Sequence, residues 1–258
     1  MQEKTFTIVA NEPIARDTFR MVLAGDTSGI TRPGQFVNVA IDGLFLRRPI
    51  SVSDSGPGTC PKGVPGAGLP MDFLTLIYKV VGKGTAAMAE MESDTELNIL
   101  TGLGNGFDAS RAGDRPLLVG GGVGVPPLYK LAKELTAAGK RVSAVLGFNT
   151  AQEAFYEKEF RTLGCDVTVA TADGSYGVRG FVTDALPETY SYFYACGPLP
   201  MLRALSETAA SDGELSFAER MGCGFGACMG CTMMTKNGPK RICKDGPVFR
   251  KEETVWED

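Results

Sequence analysis

Along the first hundred residues the apolar positions fall in short alternating runs. Residues 5–9 and 18–23 carry β-branched and apolar side chains, and residues 35–41 set Phe36, Val37, Val39 and Ile41 among polar neighbours. Runs at 50–53, 73–81 and 96–100 continue the series. A period near two, with Gly, Pro and Asp between runs, predicts short antiparallel strands closing into a barrel. Residues 85–92 break the pattern with good helix formers, and Thr85 stands where an N-cap is wanted. In 54–70, nine of 17 positions are Gly or Pro, which predicts an irregular surface loop.

From Arg115 the period changes. Strand-like runs at 116–119, 142–146, 167–170 and 192–196 alternate with helical patterns at 126–138, 153–163 and 199–210. In the first of these helices Leu128, Leu131, Ala132 and Leu135 share a face. Alternating strands and helices predict a doubly wound parallel sheet, hence a β plus α/β chain. Beyond 212 the periodicity fades. The expected organisation is a β-barrel domain over 1–110, an α/β domain over 111–211 and a small module over 212–258.

Composition narrows the chemistry. At roughly 100–200 residues per domain, 258 residues make one large domain or two to three small ones. The net charge of −4 argues against a nucleic-acid groove or an anionic membrane as main partner. Histidine is absent, which excludes Ser-His-Asp and Cys-His catalysis, Cys2His2 zinc fingers and Rieske centres. The N-terminus lacks a basic start followed by an apolar run, and no apolar stretch approaches membrane-spanning length; a cytoplasmic protein is expected. Of seven cysteines, four crowd between positions 223 and 243, the pattern of a metal site rather than of dispersed disulfides.

Those four are Cys223, Cys228, Cys231 and Cys243, spaced C-x4-C-x2-C-x11-C. Four thiolates complete the two tetrahedral irons of a [2Fe–2S] cluster, and C-x4-C-x2-C is the plant-type ferredoxin spacing. The surrounding Gly222, Gly224, Gly226 and Gly230 let backbone N–H groups turn toward sulfur. Structural zinc would more often show paired C-x2-C knuckles, and one such pair is present. A second motif, Gly120, Gly121, Gly122 and Gly124 followed by Pro126, lies between a strand and a helix, where a dinucleotide pyrophosphate binds. Arg48-Pro49-Ile50-Ser51 offers a guanidinium fork, and Gly84-Thr85 a second anion site; ordinary turn chemistry is the alternative for both. Cys196, in Ala-Cys-Gly-Pro, ends a strand on the side where such sheets bind ligands, although a buried structural thiol explains it as well.

In order and spacing these motifs resemble the ferredoxin–NADP reductase superfamily. Within it, Arg48-Pro49-Ile50-Ser51, Leu103-Gly-Asn105-Gly-Phe107, Glu219-Arg-Met221 and the cysteine module resemble the electron transfer subunits of type B dihydroorotate dehydrogenases, over almost the full length. Two features depart from the pattern: residues 54–70 run long, and Gly102-Leu103 lacks a preceding proline. The resemblance implies an oxidoreductase subunit holding FAD in the barrel through Arg48 to Ser51, Ile77, Tyr78, Lys79, Gly84 and Thr85. It implies a [2Fe–2S] cluster on the four cysteines and Cys196 near the nicotinamide. It further implies a partner, an FMN-binding dihydroorotate dehydrogenase catalytic subunit in a two-plus-two heterotetramer, with electrons reaching NAD+ through the cluster and FAD.

NAD is expected over NADP because the stretch after the second α/β strand, 147–153, carries one acid and no base where a 2′-phosphate would need a cation. Two other readings stay open at this level. One is the equivalent subunit of a sulfhydrogenase or a bifurcating transhydrogenase; the other is an interaction module stabilised by zinc.

Overall fold

The computed structural model describes residues 1–59 and 70–256. Six strands form a closed antiparallel barrel: β1 (Gln2–Ala15), β2 (Thr18–Ala24), β3 (Phe36–Val39), β4 (Arg48–Thr59), β5 (Pro70–Lys79) and β6 (Glu96–Leu103), in the order β1-β2-β5-β4-β3-β6. Alternation along these strands sends Phe6, Ile8, Met21, Leu23, Val37, Val39, Leu74 and Leu76 into one interior core. The expected loop at 54–70 is corrected in part: residues through Thr59 extend β4 and pair with β5. Backbone hydrogen bonding there outweighs the weak strand propensity of Gly and Pro. Positions 60–69 of that loop lie outside the described residues.

A short helix, α1 (Lys83–Ala89), follows β5 and starts two residues earlier than its composition suggests. Thr85 is therefore inside the first turn, and Gly82 holds the cap position. The Thr85 hydroxyl accepts from the N–H of Val81 at 2.9 Å and of Gly82 at 3.3 Å, so it tightens the turn from within.

The second half is a seven-stranded sheet. Its strands are β7 (Leu117–Gly121), β8 (Ser143–Phe148), β9 (Asp166–Thr171), β10 (Val178–Arg179), β11 (Phe193–Cys196), β12 (Gly213–Ser216) and, beyond the small β13–β14 hairpin (Thr232–Thr235, Gly238–Arg241), β15 (Val248–Arg250). The order is β10-β9-β8-β7-β11-β12-β15, parallel except for the β12–β15 edge. Helix α2 (Pro127–Ala137) buries Leu128, Leu131 and Leu135 on one face of the sheet; α4 (Leu199–Thr208) buries Leu202 and Leu205 on the other. The sheet is doubly wound, as the sequence predicts.

Two expectations need correction here. The helix over 153–163 is interrupted: a single 3-10 turn at Ala151–Glu153 is followed by α3 (Glu157–Thr162). Between them Phe155 and Tyr156 turn into the core, with Phe155 5.3 Å from Phe148 and Tyr156 5.1 Å from Tyr129 between ring centroids. Tyr156 takes φ 70° to do so, a conformation a bulky residue adopts only when packing over-determines it. The tail after 212 is not irregular throughout: β12 and β15 complete the α/β sheet, and α5 (Ile242–Asp245) precedes β15.

Barrel and sheet are bolted together by polar contacts. Lys79 pairs with Glu153 at 3.1 Å, Lys133 with Asp54 at 2.6 Å, and Lys130 donates to the Ser55 hydroxyl at 2.7 Å. Among the described residues no helix is long and apolar enough to cross a membrane.

Candidate redox and nucleotide sites

Parallel order places a switch point between β7 and β11, whose chain connections leave in opposite directions; ligands of such sheets sit in the crevice beyond those strand ends. Gly120 to Gly124 leave β7 at this point, and Cys196 to Pro198 leave β11. The two turns are in backbone contact. A β-carbon on Gly124 would stand 2.2 Å from the Cys196 carbonyl oxygen, and one on Gly121 would meet Met201 Sδ at 2.6 Å. Only glycine allows this approach. Beside it lies a cleft of about 390 Å³ lined by Gly121, Gly122, Phe148, Asn149, Pro198 and Met201, with Glu153 as the charged side chain at its wall. Cys196 itself is buried, and desolvation pushes its thiol up to about 11, so it is neutral at physiological pH.

On the barrel, Arg48 and the 82–85 turn meet. A β-carbon on Gly84 would stand 1.9 Å from Arg48 Nε, so glycine makes room for the guanidinium. Arg48 is half-buried, and its Nη1 donates to the Leu46 carbonyl. Pro49, Ile50 and Ser51 pair with Asn38, Val37 and Phe36 of β3. On β5 the side chains alternate: Ile77 packs toward the α/β core, Tyr78 points into the barrel with its hydroxyl donating to Asn11 Oδ1 at 2.9 Å, and Lys79 reaches Glu153. The structure thus gathers Arg48 and Gly84, while the hydroxyl groups of Thr85 and Tyr78 are engaged within the protein.

The cysteine segment folds as a loop between β12 and the β13–β14 hairpin, with Cys243 on α5. Backbone N–H groups link the thiols in two pairs, that of Cys228 to Cys223 Sγ and that of Cys243 to Cys231 Sγ. Two pairs are what two bridged irons require, so the residues fit the donor set of a [2Fe–2S] cluster. Among the described residues no group of three His, Cys, Asp or Glu is gathered closely enough to hold a single ion. Gly224 and Gly226, at φ +77° and +92°, curl the chain so that the N–H groups of Ala227 and Cys228 reach Cys223 Sγ at 3.2 and 3.4 Å. Desolvation raises the Cys223 thiol pKa, but the backbone N–H groups of Cys228, Phe225 and Ala227 outweigh it and hold it down at about 6. The Cys243 N–H similarly reaches Cys231 Sγ at 3.4 Å.

The module is seated on the barrel's outer wall. Phe36 and Leu103 pack with Cys231, Ile242, Cys243 and Phe249. Asn105 donates to the Val248 carbonyl at 2.8 Å and accepts from the Val248 N–H at 3.1 Å, clamping the module as a strand partner would. A β-carbon on Gly104 would strike Pro247 at 2.6 Å. The Leu-Gly-Asn-Gly-Phe motif is therefore a docking clamp, a role its spacing alone does not reveal. Asn38 also reaches this module; its one visible signal in the sequence is an amide amid an apolar run.

Comparison with known proteins agrees with this layout. A family described as the iron-sulfur cluster binding domain of dihydroorotate dehydrogenase B matches residues 218–255, and an oxidoreductase NAD-binding domain matches 118–207. The dihydroorotate dehydrogenase B (NAD(+)) electron transfer subunit of Geobacillus sp. (strain WCH70) is 42% identical over 99% of each chain, and that of Fusobacterium nucleatum is 40% identical over 96% of this chain and 97% of its own. Among solved structures, an NADH-dependent reduced ferredoxin–NADP oxidoreductase studied for flavin-based electron bifurcation superimposes with a TM-score of 0.83 at 31% identity, over 97% of this chain and 90% of that one. A cytochrome P450 reductase from Amycolatopsis, at 22% identity and TM-score 0.64 over 79% of this chain and 64% of its own, shares the fold. Matched from end to end in this way, the chain belongs to the family of dihydroorotate dehydrogenase B electron transfer subunits.

Proposed function

We propose that this chain carries electrons from an FMN-binding dihydroorotate dehydrogenase catalytic subunit through a [2Fe–2S] cluster and FAD to NAD+, in the cytoplasmic synthesis of pyrimidines. The assembly is a two-plus-two heterotetramer. Its functional units are a barrel (1–110) for FAD, an α/β domain (111–211) for NAD and a cluster module (212–258), although two strands of the last complete the sheet of the second. The observation that carries the reading is adjacency. The cysteine module rests on the outer face of β3, and the strand next to β3 bears Arg48-Pro49-Ile50-Ser51.

A bound flavin would take electrons singly from a cluster and hand them to nicotinamide in pairs, as a hydride. The chain's own residues then have these tasks. Arg48, given room by Gly84, offers a guanidinium fork to a pyrophosphate, with Pro49, Ile50, Ser51 and Thr85 shaping the same wall. Ile77 and Lys79 form the barrel edge that faces the α/β domain, with Tyr78 between them turned into the barrel, and the Lys79–Glu153 pair holds the two halves in register. Gly120, Gly121, Gly122 and Gly124 let a dinucleotide approach the start of α2, and Cys196 ends β11 at the switch point with a neutral thiol packed in the core beneath it. Cys223, Cys228, Cys231 and Cys243 bind the irons, and backbone N–H groups at Cys223 and Cys231 stabilise negative charge on sulfur.

The exposed Phe225 and Met229 flank Cys228 at the surface and offer an apolar contact for the catalytic partner where the cluster lies near solvent. The test is made on the isolated chain and on the complex. Alone it reduces dyes with NADH and forms no orotate; with the FMN-binding partner it couples dihydroorotate oxidation to NAD+ reduction. Orotate formation by the chain alone, or co-purification with a hydrogenase instead, overturns the reading.

A further inference from the structure

Strand β3 has two faces. Val37 and Val39 point into the barrel core, while Phe36 packs outward with Cys231 and Cys243. Asn38 shares the outward face and is 1% exposed. Its Nδ2 donates to the carbonyl of Cys223 at 3.2 Å, and the amide lies so close over Gly224 that a β-carbon there would stand 2.4 Å from Nδ2. Its Oδ1 is buried and has no hydrogen-bond partner among the described residues. Turning the amide over would set Oδ1 against the Cys223 carbonyl, oxygen to oxygen, so the chemistry fixes its orientation.

An orphaned buried acceptor destabilises a fold, and an aliphatic side chain in this strand would avoid it. What the amide supplies instead is a hold on one peptide group. In a trans peptide the C=O and N–H point to opposite sides. Holding the Cys223 carbonyl against the barrel turns the next N–H away from it, and the loop then wraps so that Ala227 and Cys228 donate to Cys223 Sγ. Through the β3–β4 register the same residue sits opposite Pro49, next to Arg48.

We propose that Asn38 is a positioning residue, which pins Cys223 and its N–H cage to the flavin-side strands and thereby sets how readily the cluster accepts an electron. This rests on the reading of the four cysteines as cluster ligands. The step it governs would pass one electron from a ferrous iron, reduced beforehand by the catalytic partner and returning to ferric, to the flavin of this chain, which would gain that electron. No bond is made or broken at Asn38. Hydrogen bonds to cluster sulfurs raise the reduction potential, so loosening the cage lowers it.

The test uses Asn38→Val and Asn38→Leu in the full chain, purified without oxygen. Neither side chain can donate, and their different volumes separate the lost donor from altered packing. Redox titration is followed by electron paramagnetic resonance, with the flavin midpoint of the same sample as reference, and cofactor-free protein is melted in parallel. Both variants are expected to shift the flavin–cluster electron-sharing ratio about fivefold toward flavin, the equivalent of one ordinary hydrogen bond, with altered g-values. The cofactor-free Val variant is expected to melt no lower than the parent. Wild-type midpoints and g-values in both variants would overturn the proposal, as would a lowered melting temperature with no redox shift. A parent chain without a reduced [2Fe–2S] signal would sink the cluster reading itself, and the proposal with it.

Discussion

Gly84→Ala puts the flavin site under direct test. The new β-carbon would lie 1.9 Å from Arg48 Nε and 2.6 Å from Cζ, far inside van der Waals contact, so the guanidinium must move by more than an ångström. Gly84 does not occupy the left-handed region, and alanine adds no backbone strain there. The displaced group is the end of a flexible side chain, so folding stability should change by less than about 1 kcal/mol. The ligand carries the loss. A charge-assisted hydrogen bond contributes about 1.5–3 kcal/mol, which corresponds to roughly 10- to 150-fold weaker FAD binding. Fluorescence titration of flavin-free protein measures the Kd, and a melt of the same sample measures the fold. Unchanged FAD affinity in a variant of unchanged melting temperature would refute the assignment of Arg48 to the flavin.

Three further expectations follow from particular contacts. Asn105→Ala removes both hydrogen bonds to Val248 and leaves buried backbone groups unpaired, which should cost about 2–4 kcal/mol in a denaturant titration and speed cluster loss in air. Glu214 is buried, and desolvation raises its carboxyl to about 7 from 4.5. The folded chain therefore holds this proton longer than the unfolded one, and stability falls as pH rises from about 4.5 to about 7. Glu214→Gln, which keeps an acceptor for the Asp108 N–H, should raise stability at pH 8 by up to about 3 kcal/mol and give no gain at pH 4; equal effects at both would contradict this. Finally, no cation is among the described residues lining the candidate nucleotide cleft, and its one acid, Glu153, is already paired with Lys79, so nothing there would pair a 2′-phosphate and NADPH should show a higher KM than NADH; comparable values would remove the charge argument.

What could be read in the sequence was what neighbouring residues encode. The cysteine spacing, the glycine turn after β7 and the apolar alternation of β1 to β6 are local patterns, and each appears where it was expected. What escaped depends on distant partners. The three residues of β15 and four of β12 are too short to show a period, and only their pairing makes them part of the sheet. Tyr156 breaks a well-formed helical pattern because an aromatic cluster and Ser53 of the barrel draw it inward. Thr85 has the chemistry of a cap, yet the chain enters α1 early and uses its hydroxyl inside the turn. At the sites, the glycines at 84 and 124 were legible as glycines, but what they make room for, Arg48 and the Cys196 carbonyl, required three dimensions. Asn38 and the Asn105 clamp belong to the same class, single amides whose roles are set by backbone atoms more than a hundred residues away.

Metal and flavin analysis of the chain purified without oxygen decides whether the four cysteines hold an iron–sulfur cluster or zinc. A brown-yellow protein with about two irons, two acid-labile sulfides and one FAD per chain is expected, and dithionite should bring up the resonance of a reduced four-thiolate [2Fe–2S] cluster. A colourless preparation holding zinc, or one free of iron and labile sulfide, would contradict the cluster reading.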